Sequence, residues 1–267
     1  MTKASEGRWA LILGASSGFG AATAQELAKS GFNIFGVHLD RKTTMPLVEQ
    51  TSHAIEATGR QAVFFNVNAA DPDKRAEVLQ ACQQQLSSTT PPQKMYVLLH
   101  SLAFGALRPY VSQDGNEANK DQMEMTLDVM ANSLVYWTRD VVKAGLMGEG
   151  GRVFAMTSSG GTRVWPFYGP VSAAKAALES HIRQLALELA PYQITANAIR
   201  AGVTDTPALR KIPGCEEMIA FSKTRNPYKR LTTPEDVAQA IALLSDPRAH
   251  WITGNTIGVD GGEDIVG

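Results

Sequence analysis

Tyr168 and Lys175 stand seven residues apart in Tyr168-Gly-Pro-Val-Ser-Ala-Ala-Lys175, a spacing that can support acid–base chemistry. A phenol can donate a hydrogen bond to an oxygen that gains negative charge, and a neighbouring ammonium favours that charge. Leu178, Ile182, Leu185 and Leu189 recur at steps of four, three and four, so Lys175 is expected on a helix with one buried face. Pro170 is tolerated only in a first helical turn, which puts Tyr168 at or just before the helix start. Seven residues of continuous helix rise about 10 Å, against about 6 Å for four. The wide spacing therefore draws the phenol back from the lysine. Val171, four before Lys175, is apolar. Ser158 ends the apolar run Val153-Phe-Ala-Met-Thr and is the third polar candidate.

A second cluster is suited to phosphate. In Gly14-Ala-Ser16-Ser17-Gly18-Phe19-Gly20 the glycines let the backbone approach a pyrophosphate, and the N-terminus of the helix that follows faces its charge. The elements that must hold both clusters are legible. Trp9–Leu13, Asn33–His38, Ala62–Val67, Met95–His100, Arg152–Thr157, Ile194–Ile199 and Thr256–Asp260 read as strands buried on both faces. Helical segments separate nearly all of them. This alternation predicts an α/β fold, a Rossmann-type, doubly wound parallel sheet of about seven strands in a single domain. Thr233-Pro234-Glu235-Asp236 reads as a capped helix start. The stretch 200–230 carries Pro207, Pro213, Gly214 and Pro227, lacks a strand, and is expected to be a lid over the substrate.

A glycine-rich turn followed by a Tyr/Lys pair resembles the short-chain dehydrogenase/reductase family, from Leu11 to Gly262. Most members space the pair by four. Spacing by seven resembles the enoyl-acyl carrier protein reductases, which reduce a carbon–carbon double bond. The His100-Ser start of His100-Ser-Leu-Ala-Phe-Gly105 resembles these enoyl reductases, and the following Gly105-Ala-Leu-Arg-Pro109 resembles their class III, NADPH-dependent branch. The family's catalytic Asn aligns with Met130, not with Asn132, and class-I enoyl reductases lack it too. Arg200-Ala-Gly202-Val203-Thr204-Asp-Thr206 resembles the Ser-Ala-Gly form of class I. Leu13 stands where the family usually has Thr.

The resemblance implies site roles. Tyr168 would bond a thioester oxygen, and Lys175 the nicotinamide ribose. Ser158 would help bind that oxygen or line the pocket. Gly14 to Gly20, with Ser16, Ser17, Gly18 and Phe19, would cradle the pyrophosphate. His38 occupies the slot that selects between NADH and NADPH. Arg41 and Lys42 would pair with a 2′-phosphate, which favours NADPH, and Asp40 dissents as a ribose ligand. Asn66 and Val67 would meet the adenine. Ser101, Leu102 and Ala103, then Gly202, Val203 and Thr206, would complete the cofactor site. Phe104, Trp165, Phe167 and Ile212 are candidates for an acyl pocket. A lone His100 at a strand end reads as structural. The implied reaction reduces a trans-2-enoyl thioester on acyl carrier protein in type II fatty acid synthesis, by a homotetramer. The competing readings are a ketone-reducing relative, for a 3-oxoacyl or hydroxysteroid substrate, and a non-catalytic dinucleotide-binding sensor.

Composition narrows the partners. The chain has 267 residues, enough for one large core, with 44% hydrophobic and 19% charged residues. A net charge of -1 suggests neither a nucleic-acid nor an anionic-membrane partner. Cys82 and Cys215 lie far apart, form no metal-binding pair and fit a reducing cytoplasm. The polar start shows no secretory leader, and no apolar run reaches the length of a membrane span.

Overall fold

A computed structural model describes residues 7–266. The polar start, where no leader was expected, falls largely in residues 1–6 and to that extent lies outside the described residues. Seven parallel strands form one sheet in the order β3-β2-β1-β4-β5-β6-β7. They are β1 (Trp9–Leu13), β2 (Asn33–His38), β3 (Ala62–Asn66), β4 (Met95–His100), β5 (Met147–Ser158), β6 (Thr195–Ala201) and β7 (Thr256–Val259). The helices are α1 (Gly18–Lys29), α2 (Met45–Glu56), α3 (Pro72–Ser87), α4 (Lys120–Leu127), α5 (Ser133–Lys143), α6 (Gly169–Leu189), α7 (Cys215–Arg225) and α8 (Pro234–Leu244). Among the described residues no helix is long and apolar enough to cross a membrane.

The two-residue period of a strand sorts β1 onto two cores. Trp9, Leu11 and Leu13 pack in one layer with Trp137 and Val141 of α5 and Leu178 and Ile182 of α6. Ala10 and Ile12 pack in the other with Leu27 of α1, Ile55 of α2, and Val237 and Ile241 of α8. Each fully buried aliphatic side chain contributes about 1.5–3 kcal/mol. The sheet is thus covered on both faces, as its apolar strands require.

Three expectations change in detail. Strands β3 and β7 are half-buried because each is a sheet edge. Strand β5 starts earlier than Arg152: its register with β4 jumps from Met95–Met147 to Val97–Arg152, so residues 148–151 form a bulge. Within 200–230, Arg200 and Ala201 still belong to β6, and the remainder folds into a short turn, Leu209–Lys211, and helix α7. Thr233 does cap α8: its Oγ1 accepts from Asp236 N–H while Asp236 accepts from Thr233 N–H.

Candidate active site

The order of strands reverses direction between β1 and β4, so a crevice opens beyond their carboxyl ends. The glycine turn lies there. Gly14 adopts φ 90°, and a Cβ on it would stand 2.5 Å from the Ser101 carbonyl oxygen. A Cβ on Gly20 would stand 1.9 Å from the Gly14 carbonyl oxygen, so the turn can close only on a bare backbone. Gly18, at φ 53°, faces the Thr206 side chain, which brings the loop after β6 against the turn. Ser17 begins α1 without a side-chain cap, and the first turn of α1 carries no acid. Its amide groups are therefore available to an anion, and the cradle fits a dinucleotide pyrophosphate.

The ends of β2 and β3 hold the next group. His38 is buried, and its Nδ1 lies 3.0 Å from Asp40 Oδ2. Burial pushes the Asp40 carboxyl up, but contacts from Thr44, Ser16 and His38 hold it below the ordinary range. Arg41 and Lys42 are exposed. Asn66, expected to offer its amide to adenine, spends it elsewhere. Its Oδ1 accepts from Asp40 N–H at 3.0 Å and its Nδ2 donates to Asp40 carbonyl at 3.0 Å. The Val67 N–H donates to the His38 carbonyl oxygen. Both bonds fix the β2–α2 loop, a pairing across 26 residues that local sequence could not reveal.

A cavity of about 690 Å³ extends from this crevice. Tyr168, Lys175 and Ser158 all line it. So do Phe19, Ser101, Leu102 and Ala103, and the loop residues Gly202, Val203 and Thr206. Of the expected acyl-pocket residues, Phe104, Trp165 and Ile212 line it as well. Phe167 does not. It faces a separate hollow of about 450 Å³ with Arg108 and Tyr110, on the other side of Tyr168 and Trp165. The cause is backbone: Phe167 adopts φ 65°, which turns it away from its neighbours.

Tyr168 is the N-cap residue of α6, and Pro170 sits in its first turn. Burial raises the phenol above its ordinary value, and the nearby Ser158 hydroxyl opposes this. Ser158 Oγ is itself buried without a hydrogen bond of normal geometry, so it has capacity for a ligand oxygen. Lys175 Nζ donates to the Met156 carbonyl oxygen at 2.7 Å. Burial lowers its pKa to about 8, against the pull of the Glu179 carboxylate. Thr157 Oγ1 donates to that carboxylate at 2.7 Å.

Val171, where the short spacing would put a tyrosine, is 5% exposed and lines the cavity with Met130. Asn132 turns to His181 instead, Oδ1 to Nε2 at 3.1 Å. His100 is fully buried with Nε2 2.8 Å from Ser133 Oγ, and burial takes its pKa down to about 3. A neutral, enclosed imidazole suits the structural reading of that residue.

Sequence reasoning missed Glu263. This buried carboxylate lines the cavity and accepts the Val203 N–H at Oε2, 3.2 Å away. The N–H of Val203, a residue expected to complete the cofactor site, is therefore already engaged. Glu263 follows β7, some 60 residues from Val203, and only the closing of the sheet edge brings them together. Met218 and Phe221 of α7 also reach the cavity. Their mixed local pattern gives no sign of it.

A family model described as Enoyl-(Acyl carrier protein) reductase matches residues 14–263. The chain is 28% identical to 1-cyclohexenylcarbonyl-CoA reductase of Streptomyces collinus, over 96% of this chain and 86% of that one. It is 34% identical to the enoyl-[acyl-carrier-protein] reductase [NADH] FabI of Nostoc sp., over 65% of this chain and 66% of that one. The crystal structure of the enoyl-[acyl-carrier-protein] reductase (NADH) from Aquifex aeolicus superposes with a TM-score of 0.85 at 23% identity, covering 98% of both chains. At that identity the superposition speaks to the fold alone. With the model spanning the glycine turn, the Tyr/Lys pair and Glu263, the chain belongs to the enoyl-(acyl carrier protein) reductase family of short-chain dehydrogenase/reductases.

Proposed function

We propose that this protein reduces the carbon–carbon double bond of a trans-2-enoyl thioester on acyl carrier protein, using NADPH, in type II fatty acid synthesis. The observation that carries this reading is the pairing of Tyr168 at the head of α6 with the apolar Val171 and Met130 in the cavity wall. The usual ketone reduction on this fold uses a hydroxyl where Val171 stands. Two relatives support a thioester substrate: the S. collinus protein is named for an unsaturated coenzyme A thioester, the Nostoc protein for an enoyl carrier-protein thioester.

When bound, the nicotinamide supplies a hydride to the β-carbon of the substrate. The chain does the rest. Tyr168 donates a hydrogen bond to the thioester oxygen, where negative charge grows as the double bond is reduced. Ser158, whose buried Oγ has no partner, is assigned to the same oxygen. Lys175 holds the ribose hydroxyls and its charge favours the anion. A proton from solvent then adds to the α-carbon and completes the reduction. Phe104, Trp165, Ile212 and the α7 residues Met218 and Phe221 form an apolar wall for the acyl chain. The segment after Ala201 acts as the lid. For the cofactor, Asp40 is already held by His38, while Arg41 and Lys42 are exposed and available to a 2′-phosphate. Exposed Trp251, Leu243 and Leu187 fit faces covered by further copies in a homotetramer. The cytoplasm, as a reducing compartment, suits its two free cysteines.

The unpartnered Ser158 beside a tyrosine also favours a second reading, ketone reduction. Cofactor oxidation with crotonyl and acetoacetyl thioesters, side by side, separates the two. The enoyl thioester is expected to turn over and the 3-oxoacyl thioester to stay essentially untouched. Faster turnover of the ketone removes the enoyl reading, and no turnover of either favours a binding role. In the same assay Arg41→Ala with Lys42→Ala is expected to raise KM for NADPH roughly tenfold, leaving KM for NADH nearly unchanged. A wild-type preference for NADH overturns the NADPH assignment and makes Asp40 the ribose ligand.

A further inference from the structure

Gly160 lies in the short turn Ser159–Gly161 between β5 and α6 and lines the cavity. Its φ is outside the left-handed region, so the backbone there does not require glycine. Space does. A Cβ on Gly160 would stand 2.5 Å from Tyr168 Cε1, 3.0 Å from Cδ1 and 3.2 Å from Ser158 Oγ. Cε1 adjoins the carbon that carries the phenol oxygen, so the contact is with the reactive edge of the ring. At such a distance one side must move.

Both sides are tethered through one residue. Ser172, one turn into α6, donates its N–H to the Tyr168 carbonyl at 2.8 Å. Its Oγ donates to the Gly160 carbonyl oxygen. The Tyr168 N–H donates to the Trp165 carbonyl oxygen at 3.2 Å, and Phe167 before it is held at φ 65°. The ring therefore leans on the bare face of Gly160, with the cavity on one side of it and the second hollow on another.

We propose that Gly160 and Ser172 form a seat that fixes the Tyr168 phenol beside Ser158, which makes Gly160 a positioning residue for the reaction proposed above. The inference rests on that reading for its kinetic part only. A reacting group displaced by about 1 Å can lose about 10²-fold in rate. Gly160→Ala is thus expected to lower kcat by about that factor while the dissociation constant for NADPH stays at the wild-type value. Adding Ser172→Ala to Gly160→Ala frees the turn to retreat and should return at least tenfold of the lost kcat.

A measurement without substrate separates the seat from the function. The protein is labelled with 3-fluorotyrosine, and the fluorine line of Tyr168 is identified by its absence in Tyr168→Phe. That line should shift in Gly160→Ala and move back towards wild type in the double variant. Ser172→Ala alone should shift it too, which keeps the test open if Gly160→Ala folds poorly. A line unmoved by either substitution, or wild-type kcat in Gly160→Ala, overturns the seat. If wild type reduces no thioester, the functional reading falls and the fluorine line alone decides the seat.

Discussion

Tyr168, on the proposed reading, works only if its phenol stays protonated until charge grows on the substrate oxygen. Burial supports this, because it raises the phenol pKa. Tyr168→Phe is expected to lower kcat about 10²–10³-fold, the loss of one oxyanion donor, with cofactor affinity unchanged. Equal loss of cofactor binding would show that the residue holds the cofactor instead. Lys175 gives a second, thermodynamic expectation. Its folded pKa of about 8 lies below the ordinary lysine value of 10.5, so between these values the unfolded chain binds a proton that the folded chain does not. Stability from this group therefore rises with pH through that window, and the burden of the buried charge is full below about 8. Replacing it in Lys175→Met removes the dependence. Relative to that variant, wild type should gain about 3 kcal/mol between pH 8 and 10.5, measured by urea unfolding. A constant difference across the window would mean that Lys175 does not titrate there.

The elements around the cavity are stapled by the last residues described. Asp264 Oδ1 accepts from Arg163 Nε at 2.8 Å, and its Oδ2 lies 3.2 Å from the Arg200 guanidinium. The Asp264 and Val266 carbonyls accept from Arg225 at the end of α7, at 3.1 and 2.7 Å. One short segment thus ties the loop after β5, the end of β6 and the carboxyl end of α7. Any lid motion is left to residues between Gly202 and the middle of α7. Asp264→Ala leaves its guanidinium partners without their carboxylate and should cost about 2 kcal/mol. Limited proteolysis is expected to cut within 205–225 in Arg225→Ala, which loses both carbonyl contacts, and not in wild type. An unchanged cleavage pattern would show that the staple does not restrain α7. The wall residues Met218 and Phe221 belong to the same element, so on the proposed reading KM for the thioester should rise in the variant as well.

At the scale of the whole molecule, sedimentation velocity is expected to give four copies per particle, and a monomer would retire the proposed tetramer. The seven-stranded parallel sheet and the placement of the Tyr/Lys pair at the start of α6 were legible beforehand, for local reasons. Strand β1 is apolar at every position because both faces are covered. Pro170 and the Leu178–Leu189 stripe define the start and buried face of α6. Glycines at 14 and 20 mark backbone approaches that no side chain permits. These signals are carried by residues within a turn or two of one another, so sequence suffices. What tertiary structure decided is pairing across distance. Asn66 turned from a presumed adenine contact to the Asp40 backbone, and Glu263 took the Val203 N–H. Phe167, expected in the acyl pocket, faces the second hollow because of its own left-handed φ, which only the path of the whole loop imposes on a bulky residue. Gly160 gained its meaning from a ring eight residues away. Buried polar groups must find partners wherever the fold brings them, and spacing along the chain does not encode that meeting.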